Sequence, residues 1–134
     1  MSLLTDLGTY LNSASISTQD LTLGTNLFLS RMPESPDTCV ALIQSGGTAP
    51  TDTFGTSFPI LETPGIQTLV RSASYATGES LAVDVFKSLQ SVENQTLTST
   101  LYLKIEAEQS PFPVERDTQE RVVFSCNFLI TKAT

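Results

Sequence analysis

Apolar and polar residues alternate over two long stretches near the end of the chain. From Leu101 to Glu108, Leu101, Leu103, Ile105 and Ala107 fall on one side, and Tyr102, Lys104, Glu106 and Glu108 on the other. From Val122 to Ile130, Val122, Phe124, Cys126, Phe128 and Ile130 oppose Val123, Ser125, Asn127 and Leu129. A period of two predicts antiparallel strands with one face buried. Shorter runs at Asn26–Met32, Cys39–Gln44 and Ile66–Ser74 predict three more strands. Helical spacing occurs twice. Leu4, Leu7, Leu11 and Ala14 recur every three or four residues, with Ser2 placed to cap and Asp6 near the positive end of the dipole. Ala82, Val85, Phe86 and Leu89 form a second stripe in Thr77–Val92, with Thr77 as the expected cap and Glu79 in the first turn. The order helix, three strands, helix, two strands predicts an α+β fold. Its expected form is a mostly antiparallel β-sheet with the two main helices packed on one face.

Two segments lack either period. Ser45–Pro64 contains Gly46-Gly47, Pro50, Gly55 and Pro59 and reads as a long irregular connection between strands. Ser110–Glu120, with Pro111-Phe112-Pro113 and a charged tip, reads as a second. A connection of about twenty residues is uncommon inside a compact domain. The first also carries Phe54, Phe58, Ile60 and Leu61, apolar residues that either fold back on the chain's own sheet or are covered by another chain.

At 134 residues the chain fits a single domain, 1–134. Seven basic against fourteen acidic residues give a formal charge of −7. That balance argues against binding to nucleic-acid phosphates, which depends on Lys and Arg. Histidine is absent, which removes Ser-His-Asp and Cys-His catalysis and every imidazole metal site. Cys39 and Cys126 form no CxxC pattern and are expected to be two reduced, buried thiols. The opening residues show no basic, apolar export signal, and no window approaches a membrane span, so a product of the cytoplasm without a membrane partner is expected. The carboxylate clusters are Glu106 with Glu108, and Glu115, Asp117 and Glu120. Paired carboxylates perform hydrolysis only in a shielded cleft that separates their pKa values. Glu106 and Glu108 sit on the polar side of a strand, so a solvated role is expected. Gly46-Gly47 lacks the Lys-Ser/Thr of a P-loop, and no calcium-loop spacing occurs. The residues point to no enzyme, no cofactor and no metal. A small carboxylate-dependent hydrolase and a stand-alone binding module are the alternatives from other classes.

Three runs carry a family resemblance. The first is Phe28-Leu29-Ser30-Arg31-Met32-Pro33-Glu34-Ser35-Pro36-Asp37-Thr38-Cys39-Val40-Ala41-Leu42, followed by Gly46-Gly47. The second is Glu62-Thr63-Pro64-Gly65-Ile66-Gln67-Thr68-Leu69-Val70-Arg71-Ser72, leading to Tyr75. The third is Arg121-Val122-Val123-Phe124-Ser125-Cys126-Asn127-Phe128. In this order, across about Asn26 to Ile130, they resemble a family of bacteriophage minor capsid or tail terminator proteins. The tip Asp117–Arg121 departs from the family, which often has a glycine there.

The resemblance implies a structural virion protein of the tail or neck. Its expected form is a homo-oligomeric, six-fold ring that caps the tail tube, stops its polymerisation and joins the tail to the head connector. A neck stopper or head completion protein is the alternative within the virion. The implied partners are further copies of the chain, the tail tube protein and the connector or stopper. DNA would pass through without specific binding, and assembly would take place in the host cytoplasm. Within that picture Phe54, Phe58 and Ile60 are expected at a protein interface, and Arg31 and Arg71 at subunit contacts where they can meet carboxylates. Six subunits multiply the acidic balance, and a lumen that gripped phosphates would hold the genome. Glu106, Glu108, Glu115, Asp117 and Glu120 are therefore the expected lining of an acidic lumen.

Overall fold

A computed structural model describes residues 3–13, 20–52 and 59–133, with the backbone alone described at 49–52 and 59–60. Its elements are α1 (Leu3–Ser13), β1 (Leu27–Leu29), β2 (Cys39–Asp52), β3 (Pro59–Ser72), α2 (Tyr75–Gln90), β4 (Glu93–Leu97), β5 (Thr100–Ala107), β6 (Phe112–Arg116) and β7 (Val122–Ala133). The strands form one sheet in the order β1-β2-β3-β7-β5-β4, with β6 paired to β7. β1 and β2 run parallel, and the other pairs are antiparallel. The α+β fold expected from the sequence is present, with the sheet dominating.

Helix α2 packs across β3, β5 and β7, while α1 meets β1, β2, β4 and α2. Register explains which side chains lie beneath them. Val40 pairs with Val70 and Val70 with Phe124, so all three share the helix-facing side. Leu42, Ile66, Phe128, Ile130 and Ile105 continue this surface, and Leu7, Leu11, Leu81, Val85 and Leu89 of the helices close it. Burying a side chain of this size contributes about 1.5–3 kcal/mol. This layer is therefore the main support of the fold. Helix α2 begins at Ser74, whose hydroxyl accepts from the Thr77 amide at 3.4 Å. The cap is thus Ser74 and not Thr77. Its extended backbone lets the side chain reach the free amides of the first turn. The cap expected at Ser2 of α1 lies outside the described residues.

Three expectations change. Ser45–Pro64 is not an irregular connection: β2 and β3 extend through it as one long hairpin, and residues 53–58 at its tip lie outside the described residues. The strands tolerate Gly46-Gly47 and Pro64-Gly65 because the register shifts between Ser45 and Thr48 and the two backbones nearly touch. A Cβ on Gly47 would collide with the Thr63 carbonyl, and one on Gly65 with the Gly46 carbonyl. The glycines mark a bulge, not a loop. Ser110–Glu120 likewise contains a strand, β6, and the polar run Glu93–Leu97 forms β4 beside β5. Finally, a register shift between Tyr102 and Lys104 changes the phase of β5. Tyr102 turns inward and is fully buried, while Leu101 remains 40% exposed.

Candidate functional site

The face of the sheet away from the helices holds a second, polar layer. Cys39, Arg71 and Val123 are neighbours across β2, β3 and β7, and all are buried. The guanidinium of Arg71 donates to the backbone carbonyls of Pro36 and Asp37, at 2.6 Å from Nη2 and 3.3 Å from Nε. Arg121, at the entrance to β7, is 4% exposed. It donates to Asp117 Oδ2 at 2.7 Å, to Asp37 Oδ1 at 3.2 Å and to the Glu34 carbonyl. Two buried arginines thus tie the segment between β1 and β2 across the sheet and onto the 117–121 turn. Arg71, expected at a subunit contact, has its guanidinium committed within the chain. Arg31, expected in the same role, is exposed.

The expected acidic positions divide into two groups. Glu106 opposes Leu129 and Glu115 opposes Val123, which places both on the face away from the helices. Glu108, whose amide donates to the Asn127 carbonyl, follows Glu106 along the same edge. All three are exposed, and Glu106 lies 3.4 Å from Lys104. Asp117 and Glu120 belong instead to the turn. Asp117 accepts from the amides of Gln119 and Arg121, and Glu120 has φ +62°. Phe54 and Phe58 lie outside the described residues, whereas Ile60 falls in β3.

Both thiols are buried and free, in agreement with the sequence reading. Their register partners, Arg71 for Cys39 and Thr68 for Cys126, lie on opposite faces of β3, which keeps the two sulfurs apart. Burial raises the pKa of Cys39, partly offset by Arg71 and Arg121. Burial, with the nearby charge of Glu108, pushes Cys126 up to about 11. Neither is a poised thiolate nucleophile.

Sequence reasoning missed two features. Asp6 lies on the buried side of α1, 1% exposed, and its Oδ2 accepts the Tyr102 hydroxyl at 2.8 Å. An acid beside Leu3 and Leu7 on an apolar stripe was the available signal. The other feature is the unpaired sheet edges. β1 pairs with β2 only from Val40 to Leu42, so β2 beyond Ile43 has no second partner among the described residues. β6 has β7 as its one partner among the described residues, and it carries Phe112 and Val114, 43% and 53% exposed. Tyr75, 46% exposed, borders the same cleft as Val114. A wider groove of about 530 Å³ lies between α2 and Ser110–Pro111, lined by Glu79, Val83, Asp84, Lys87 and Phe124. Among the described residues no three His, Cys, Asp or Glu side chains gather as a metal site, and no helix is long and apolar enough to cross a membrane.

The groups of this chain build contacts, clamps and edges more readily than a reaction centre, and the comparisons agree with that character. A search of curated proteins gave no match. Among solved structures, a chain from the virion of a native gene transfer agent particle superposes with a TM-score of 0.69. The match covers 99% of this chain and 96% of that one, at 14% identity, so the two share a fold. The family described as bacteriophage tail terminator protein matches residues 10–134. That span includes every strand, the α2 helix and both buried arginines, and the chain therefore belongs to the bacteriophage tail terminator family.

Proposed function

We propose that this phage tail structural protein assembles into a closed ring, six-fold in the simplest case, that caps the tail tube, ends its polymerisation and meets the head connector. The observation that carries this reading is the pair of unpaired edges on β2 and β6, which flank the β2-β3-β7-β6 part of the sheet on opposite sides. A ring is built from one heterologous contact repeated until the rotation closes, and it needs two different surfaces on each subunit. The β2–β3 hairpin, with Phe54, Phe58 and Ile60 near its tip, supplies one of them, and Arg31 lies at a subunit contact. Glu106, Glu108 and Glu115 face the lumen, where like charge keeps passing DNA from binding. Asp117 and Glu120 complete that acidic set, with Asp117 also neutralising Arg121. Arg71 serves the subunit contact indirectly, by fixing the segment that follows Arg31. The protein is assembled in the host cytoplasm, carries no cofactor and catalyses no reaction.

Native mass spectrometry across a dilution series tests the reading. A closed oligomer whose mass is a whole multiple of 14.5 kDa is expected. A monomer at every concentration, both alone and with tail tube protein, overturns the ring.

A further inference from the structure

We propose that the groove between helix α2 and Ser110–Pro111 is a socket for residues 53–58 of a second copy, with Phe54 and Phe58 as the inserted side chains. The proposal rests on the ring reading and deepens it, by naming the surface that receives the β2–β3 hairpin. The groove encloses about 530 Å³, within the range of about 300–1,000 Å³ usual for binding clefts. Phe124 lies buried at its floor, Val83, Phe86 and Pro111 are half-buried along it, and Glu79 and Lys87 are exposed. Pro111 leads directly into the exposed Phe112 of β6, and the exposed Tyr75 packs on Phe124 with ring centroids 5.2 Å apart. Accessible apolar surface gathered this closely, with charged residues around it, marks a protein contact.

Composition selects the occupant. Residues 1–2, 14–19, 53–58 and 134 lie outside the described residues, and among them 53–58 alone carries aromatic side chains. That segment, Thr53-Phe54-Gly55-Thr56-Ser57-Phe58, has no charged residue. It brings two rings, each able to bury about 150–250 Å², and no charge that the apolar floor would have to desolvate. Ser80 and Ser110 also line the groove, and their hydroxyls can pair with backbone groups of an inserted turn.

The hairpin falls short of its own groove. The end of the groove nearer the tip is at Phe86, whose ring lies 6.2 Å from that of Phe128, the register partner of Ile66. From Pro59, where β3 begins, to Ile66 the strand runs about 23 Å at about 3.3 Å per residue. A segment of residues 53–58 held at both Asp52 and Pro59 folds back over at most about three residues, or about 10 Å. Phe54 and Phe58 therefore enter the groove of a neighbouring copy. An arm at one end of the subunit and a socket towards the other make a single heterologous contact, the kind that a ring repeats.

Photo-crosslinking of the full chain tests this. Phe54 is replaced by p-benzoylphenylalanine, half of the copies carry heavy isotopes, and adducts formed in the oligomer are mapped by mass spectrometry. Adducts joining residue 54 of one copy to residues 79–87 or 110–111 of another are expected. Ser80→Trp fills the groove from an exposed helix position and should abolish them while melting like the wild type. Val83→Asp, which puts a charge on the apolar wall, is the second variant and should also abolish them. Adducts that map elsewhere in the oligomer, join residues of one copy only, persist in the folded variants, or form only with added tail tube protein overturn the socket and leave the ring standing. A chain that stays monomeric at every concentration overturns the ring, and a peptide of residues 51–60 then decides the socket on the monomer. Saturable amide NMR shifts at Val83, Lys87 and Ser110, lost in Ser80→Trp, are expected there, and their absence overturns the socket as well.

Discussion

Arg121 Nε stands 2.7 Å from Asp117 Oδ2, and this ion pair closes the turn that leads into β7. The arginine is almost wholly shielded while its partners Glu34 and Asp37 are largely solvated, with side chains 86% and 65% exposed. Removing the cation therefore releases the segment before β2 as well as the turn. Arg121→Met is expected to lower the melting temperature and to increase protease cleavage within residues 31–38. Limited proteolysis with mass mapping checks this, and unchanged cleavage in that segment would refute the clamp.

The same pair sets an acid limit. Desolvation alone would raise the Asp117 carboxyl. Hydrogen bonds from the backbone and side chain of Arg121 and from the Gln119 amide outweigh it and hold the group below its ordinary value near 3.8. A carboxyl lowered in the folded state contributes stability that is complete above the ordinary value and vanishes as pH falls through the lowered one. The difference in melting temperature between wild type and Asp117→Asn should be largest above about pH 5 and shrink as the pH falls through and below the ordinary carboxyl value of 3.8. A difference that is constant with pH would contradict this.

Tyr102 provides the one hydrogen bond that Asp6 receives among the described residues. Tyr102→Phe leaves the whole carboxylate unpaired in the interior and should destabilise by about 1–3 kcal/mol. In Asp6→Asn the amide offers a donor and an acceptor, so the loss should be smaller. The double variant should fall short of the sum of the two, because neighbouring residues in one hydrogen bond do not act independently. Urea unfolding of the four proteins measures this coupling, and strict additivity would show that the contact has no energetic weight.

How much of this was legible differs by element. β7 and α2 could be read directly, because Phe124, Phe128, Val85 and Leu89 keep an unbroken period against a single covered face. The β2–β3 hairpin could not, since the Gly46-Gly47 and Pro64-Gly65 pairs that signal a turn locally here permit close backbone approach between distant segments. Tyr102 was assigned to the wrong face because a bulge is invisible to a strict alternation count. Arg71 and Arg121 carry charges that usually mean surface. Their burial depends on carbonyls of a segment over thirty residues away for Arg71 and over eighty for Arg121, which no local pattern contains.

Glu120 occupies φ +62° at the tip of the turn, a left-handed conformation that favours glycine. Its carbonyl, not its carboxylate, holds Arg116 at 2.9 Å. Glu120→Gly removes the Cβ strain, about 1–2 kcal/mol, at an entropic cost of about 0.5–1 kcal/mol. A net gain of up to about 1.5 kcal/mol in chemical denaturation is expected. A loss of stability would mean that the carboxylate itself supports the turn.

The β6 edge separates assembly from folding. Phe112 and Val114 are already half in water, so replacing Val114 by Lys should change the stability of the subunit by no more than about 0.5 kcal/mol. A lysine on an edge strand nevertheless obstructs pairing with another chain, because its charge must be buried when the edge is covered. Val114→Lys should therefore melt like the wild type yet fail to form the oligomer and fail to end tail tube growth in a reconstituted reaction. Glu106→Gln with Glu108→Gln is the matched control. Both carboxylates are exposed and neither belongs to β6, so the double variant should assemble normally. Intact assembly by Val114→Lys would move the contact away from β6. Loss of assembly in the glutamate variant would place the acidic face within a subunit interface and not in the lumen.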